Sequence, residues 1–157
     1  MSEIKNLEDF IENNFRKLDA ELVKFQELME EIDIETGPPE KEWYKKEAIA
    51  NRLYDFYMGV ERIFKRIAQK LDQKLPQGAN WHKNLLQQMN QEKESRDPVI
   101  SQKLRRDLLE LLAFRHVWVN AYGIELTWKK MKYLVRKFED VHDRTKKEIH
   151  TFISKIK

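Results

Sequence analysis

The chain contains no cysteine, which excludes a disulfide framework and any thiolate metal site. It has only four Gly and four Pro in 157 residues, and most of them cluster at Gly37-Pro38-Pro39 and Pro76-Gln77-Gly78. So few breakers leave room for long uninterrupted helices. No apolar run approaches the roughly 20 residues of a membrane span, and no apolar segment follows Met1-Ser2-Glu3-Ile4-Lys5 as a signal peptide requires. The expectation is a cytoplasmic protein with no membrane association. A Gly-rich phosphate loop, a Gly-x-Ser-x-Gly elbow and a His-Glu-x-x-His motif are all missing. The four His residues sit on three predicted helices, with no close acidic cluster to complete a metal cage. Neither a metal nor a cofactor is expected, and the enzymatic reading left to develop is a metal-free one.

Charge is abundant, at 36% of residues against 11% aromatics. That suits helices with one buried stripe and wide solvated flanks. The net charge of +3 conceals a division. Residues 1–42 carry 13 acidic and 5 basic side chains, and the remainder 14 acidic and 25 basic. Two readings stay open. The basic body attracts nucleic acid or another polyanion, or the acidic first helix packs across it.

Apolar residues recur in steps of three and four in every long segment, which predicts an all-α fold. Phe15, Leu18, Leu22, Phe25, Met29 and Ile32 define a first helix over about 3–33, ended by Gly37-Pro38-Pro39. Ile49, Leu53, Phe56, Val60, Ile63, Ile67 and Leu71 define a second over about 41–74, widened by Tyr57 and Phe64. Gly59 in its middle costs roughly 1 kcal/mol against Ala, so it marks a close helix approach or a bend. A short third helix is expected over about 80–90. Its His82, beside Trp81, reads more readily as packed or capping than as a ligand or base. The polar run 91–96 reads as a mobile loop. Asp97-Pro98 has the form of an N-cap and first turn and should open the fourth helix. Thr127 should cap a fifth over about 128–156, with Trp128, Met131, Leu134, Val135, Phe138, Ile149 and Ile153 inward. The architecture expected is a single-domain antiparallel bundle over 1–157, of four long helices and one short one. The acidic helix occupies 1–36 and the body of the bundle 40–157.

The chemistry concentrates at the end of the fourth helix. Leu104, Leu108, Leu111, Trp118 and Tyr122 line one seam, and that seam runs through Arg115. A guanidinium keeps its charge and is costly to bury unpaired, so an inward Arg needs a carboxylate such as Asp55 or Glu61, or a purpose. His116 and Asn120 share a neighbouring face. Arg, His, Tyr and an amide suit metal-free RNA cleavage: a base deprotonates the 2′-hydroxyl, which attacks the adjacent phosphorus, while Arg holds the charge developing on phosphate.

Three blocks carry a resemblance: Leu53-Tyr54-Asp55-Phe56-Tyr57-Met58-Gly59-Val60-Glu61-Arg62-Ile63-Phe64, Pro76-Gln77-Gly78-Ala79-Asn80-Trp81-His82, and Phe114-Arg115-His116 with Asn120-Ala121-Tyr122-Gly123. Together, over about 45–140, they resemble HEPN-domain proteins, specifically the HepT-like component of prokaryotic toxin–antitoxin modules. The resemblance implies an all-α bundle, a homodimer with its site at the two-fold axis, and metal-independent endoribonuclease activity. It also implies a partner nucleotidyltransferase that restrains the toxin by adenylylating a tyrosine. The family motif is Arg, four to six residues, then His, often with Tyr two further on. Arg115 and Tyr122 match it; Asn120 stands at the His position, and His116 is the neighbouring group that can take its place. Catalytic candidates are therefore Arg115, His116, Asn120 and Tyr122, and Tyr122 is also the candidate modification site. The alternatives are a HEPN-type binding module without turnover and a helical protein-interaction domain.

Overall fold

The computed structural model describes the backbone of residues 2–120 and 127–157, and the side chains of 3–115 and 127–157. Five α-helices are present among these residues: α1 (Ser2–Glu30), α2 (Trp43–Ile67), α3 (Trp81–Asn90), α4 (Gln102–Asn120) and α5 (Trp128–Ile156). Helix α2 is the centre of the bundle, packed against each of the other four. No described helix is long and apolar enough to cross a membrane.

The stripes read from periodicity are the core. Ile49, Leu53, Phe56, Val60, Ile63 and Ile67 of α2 are essentially inaccessible, as are Leu104 and Leu108 of α4 and Met131 and Ile149 of α5. Phe15, Leu18 and Phe25 close the core from α1. Gly59 marks a close approach: a Cβ built there would stand 2.5 Å from Leu18 Cδ2, so its lack of a side chain lets α1 lie on α2. Gly37-Pro38-Pro39 and Pro76-Gln77-Gly78 lie outside the helices as expected, whereas Gly123 falls outside the described residues.

The acidic helix is spent within the fold. Asp19 pairs with Lys146 at 2.9 Å, Glu21 with Arg52 at 2.6 Å, Glu12 with His150 at 2.7 Å and Glu8 with Lys157. Just beyond α1, Glu35 holds Lys132 and Arg136. Much of the charge division is thus α1 and its following loop lying across the basic body.

Three local expectations are corrected. The second helix does not run unbroken to residue 74: α2 ends at Ile67, and a π-helical turn over Ala68–Asp72 closes on Gln73 in the left-handed region (φ 53°). The 91–96 segment is tied down. Lys93 and Arg96 exchange backbone hydrogen bonds at 2.9 and 3.1 Å, and buried Arg96 grips Asp72 from the π turn at 2.6 and 2.8 Å. Asp97-Pro98 does not open the fourth helix. Val99 and Ile100 are buried with their N–H groups on the Met89 carbonyl. The start moves to Ser101, whose Oγ accepts the Leu104 N–H at 3.1 Å. Burial of two β-branched residues outweighed a good local start signal. Thr127 does precede α5, but through its backbone carbonyl, which accepts the N–H groups of Lys130 and Met131; its hydroxyl makes no cap.

Candidate functional site

The site begins on α2, where helical spacing places Tyr54, Tyr57 and Glu61 along one side of the helix. Glu61 is buried at 3% exposure, within a stretch of apolar core residues. A buried carboxylate is strongly disfavoured unless hydrogen-bonded, and Glu61 Oε2 lies 2.6 Å from Nδ1 of His82. Burial raises the Tyr57 hydroxyl far above the ordinary phenol range, and the neighbouring Glu61 carboxylate adds to this while Arg115 opposes it. Tyr57 therefore stays neutral, a donor beside the carboxylate.

The loop 73–80 returns the chain so that α3 opens over this carboxylate. His82 is the second residue of α3, and it does not cap: Asn80 precedes the helix and no side-chain cap forms. Instead the imidazole stacks on Trp81, with ring centroids 3.6 Å apart and planes inclined by 30°. Lys65 of α2 lies over the Trp81 ring at 4.4 Å. Packing thus fixes the imidazole plane, and Glu61 fixes its direction.

Arg115 approaches from α4. Its Nη1 is 3.5 Å from His82 Nε2, its Cζ lies 5.6 Å from the Tyr54 ring centroid, and its buried Nε has no hydrogen-bond partner among the described residues. Of the two carboxylates expected as direct partners, Asp55 is taken by Arg52 at 3.3 Å, and Glu61 is reached only through His82. A cleft of about 470 Å³ opens beside these groups, lined by Asn80, His82 and Lys83 on one side and Leu109, Leu112 and Arg115 on the other. Carboxylate, imidazole and guanidinium from three helices therefore form a chain that ends at a cleft.

Of the residues singled out from sequence, Arg115 is placed at this cleft. His116 and Asn120 lie on α4 with side chains outside the described set, and Tyr122 lies outside the described residues altogether. Two further pairs fit the bare Arg–His spacing of the motif, Arg136 with His142 and Arg144 with His150, and all four side chains are engaged elsewhere. Arg136 pairs with Glu35, and His142 faces the Leu18 carbonyl at 3.2 Å. Arg144 pairs with Asp107 and Asp140, and His150 with Glu12. His82 was undervalued because its partners are 21 and 33 residues away. The available signal was a Glu inside the apolar stripe of α2. Among the described residues, no three His, Asp or Glu side chains gather to hold a metal.

The described residues thus form an all-α bundle that carries an Arg near the end of its fourth helix, beside a His and a buried acid. A family model described as HepT-like protein matches residues 48–156, more than two-thirds of the chain. The chain belongs to the HepT-like family. The match leaves out α1 and includes every residue of the Glu61–His82–Arg115 chain. No curated protein and no solved structure matches it.

Proposed function

We propose that the protein is a metal-independent endoribonuclease of the HepT type, with Arg115 as the residue that holds the scissile phosphate. The observation that carries this reading is Arg115 itself. It stands at a cleft, touches a neutral ring and an imidazole, and lacks a directly bonded carboxylate among the described residues. A structural arginine would be neutralised in the way Arg96 is, by a carboxylate gripped with two nitrogens. A guanidinium left in this state is matched to two oxygens of a phosphate. His116, Asn120 and Tyr122 enter the proposal through the family motif alone.

The same reading includes a homodimer that brings two copies of Arg115 to one groove, and a nucleotidyltransferase partner. Adenylate placed on Tyr122 would set a phosphate near Arg115 and fill the groove. The reading is tested by incubating the purified chain with RNA in the presence of a chelator. Cleavage should persist in chelator and vanish in Arg115→Ala. RNA binding without cleavage would favour the silent HEPN-type module, consistent with Asn120 at the family's His position. Neither binding nor cleavage would leave an interaction domain. Intact mass after co-expression with such a transferase tests the modification: one adenylate gained by the wild type and none by Tyr122→Phe.

A further inference from the structure

We infer that His82, oriented by the buried carboxylate of Glu61, is the proton acceptor of the RNA-cleaving reaction. The assignment rests on the reading above, but different observations carry it. The motif position that should supply the acceptor holds Asn120, whose amide cannot take a proton at neutral pH. His82 is the imidazole that the described structure places against Arg115; His142 and His150 are held by α1. Among the described residues the only ion-pair partner of Glu61 is His82. The carboxylate requires a proton on Nδ1, so Nε2 of the neutral ring carries the lone pair. That lone pair points to Arg115 across 3.5 Å. This is longer than an ordinary hydrogen bond, so a substrate can separate the two groups readily.

In RNA the 2′-hydroxyl and the 3′-phosphate are immediate neighbours. A phosphate on Arg115 would therefore bring the 2′-hydroxyl within hydrogen-bond reach of Nε2, ~2.6–3.2 Å. The hydroxyl proton passes to Nε2 while the O2′–P bond forms and the P–O5′ bond breaks. The departing 5′ oxygen takes a proton from water, and His82 later returns its own to water. The products are a 2′,3′-cyclic phosphate and a 5′-hydroxyl. Glu61 is a positioning residue here: it sets the tautomer and stabilises the imidazolium that forms. A merely structural Glu61–His82–Arg115 strut would tie α2, α3 and α4 together without any of these consequences.

The test is cleavage of a short RNA by the full chain from pH 5 to 9 in chelator, with binding of the 2′-deoxy analogue as the control. His82→Gln should lower kcat by about 10²–10⁴-fold, with analogue binding and helicity retained. Glu61→Gln should lower kcat by about 10-fold or more with KM nearly unchanged, because the imidazole loses the partner that sets its tautomer and stabilises the imidazolium. If wild type cleaves and Arg115→Ala does not, yet His82→Gln cleaves at full rate, this assignment falls and the ribonuclease reading stands. An inert wild type overturns both. Should His82→Gln fail to fold, an unchanged kcat in Glu61→Gln overturns the assignment on its own.

Discussion

The indole of Trp128 occupies the space that a side chain at Gly37 would need. A Cβ at Gly37 would stand 2.4 Å from Trp128 Cγ, and the residue has φ +76°, in the left-handed region. The same indole donates its Nε1–H to the Ile34 carbonyl at 2.7 Å. The turn after α1 and the start of α5 are thus one packed unit.

Gly37→Ala should therefore be costly on two counts. The left-handed backbone penalises a Cβ by roughly 1–2 kcal/mol, and displacing a partly buried indole adds about 1–3 kcal/mol of overpacking. Thermal unfolding should show Tm lowered by roughly 5 °C or more. Gly78, at φ +93° with nothing near its would-be Cβ, provides the control. Gly78→Ala should show the backbone penalty alone, and equal losses for the two would exclude a packing role for Trp128.

Arg96 and Asp72 should prove the polar pair on which stability depends most. Their side chains are 0% and 3% exposed, and Arg96 also donates to the carbonyls of Gln88, Gln91 and Asp97. Removing one partner of such a pair strands the other and costs about 3–5 kcal/mol. Arg96→Ala and Asp72→Asn should each lower the urea midpoint sharply. Burial pushes the Asp72 carboxyl up, but hydrogen bonds from Arg96 and Gln88 outweigh it and hold it below its usual value. A depressed carboxyl stabilises fully above its unfolded pKa of about 3.9. Its contribution should therefore disappear as pH falls below that value.

What the sequence made legible follows from what period and local chemistry report. The buried stripes of α2, α4 and α5, the close approach at Gly59 and the breaks at Gly37 and Gly78 depend on neighbours within one or two turns, and each was readable. Arg115 stood out because a cation in an apolar seam violates the local pattern, and Glu61 was already a candidate partner for it. The start of α4 was misplaced because Asp97-Pro98 satisfies local rules, while the decisive event is Val99 and Ile100 bonding to Met89, a tertiary contact. Arg96 and His82 were hidden for the same reason: each takes its role from residues more than 20 positions away.

His142 should make the bundle sensitive to mild acid. Burial lowers its pKa, opposed by its bond to the Leu18 carbonyl and by Asp19 at 3.5 Å and Asp143, and reinforced by Lys146. With the folded value depressed, the unfolded chain takes up the proton first. The contribution is complete above the unfolded pKa of about 6.5 and is lost as pH falls below it toward the folded value. Urea midpoints at pH 7 and pH 5 should thus differ less in His142→Gln, which keeps a donor for Leu18, than in wild type. This window lies above that of Asp72, so the two effects separate. An equal drop in both proteins would show that other groups cause it.

Arg115→Lys is the sharpest test of a phosphate-holding role. Lysine keeps the positive charge but not the planar fork that meets two phosphate oxygens at once. Its ammonium would also lose the contacts that the guanidinium makes with His82 and the Tyr54 ring. Nonspecific attraction of RNA depends mainly on charge, so binding of an uncleavable RNA should weaken only a few-fold. Cleavage depends on stabilising charge that develops in the transition state, where loss of one well-placed donor costs about 10²–10³-fold in kcat. The expected signature is a large fall in kcat with KM nearly unchanged. If Arg115→Lys instead cleaves at the wild-type rate, Arg115 acts as a general cation near the cleft and the fork contributes nothing. If binding and cleavage fall together while thermal stability also drops, Arg115 supports the fold, and the phosphate must be held by another group.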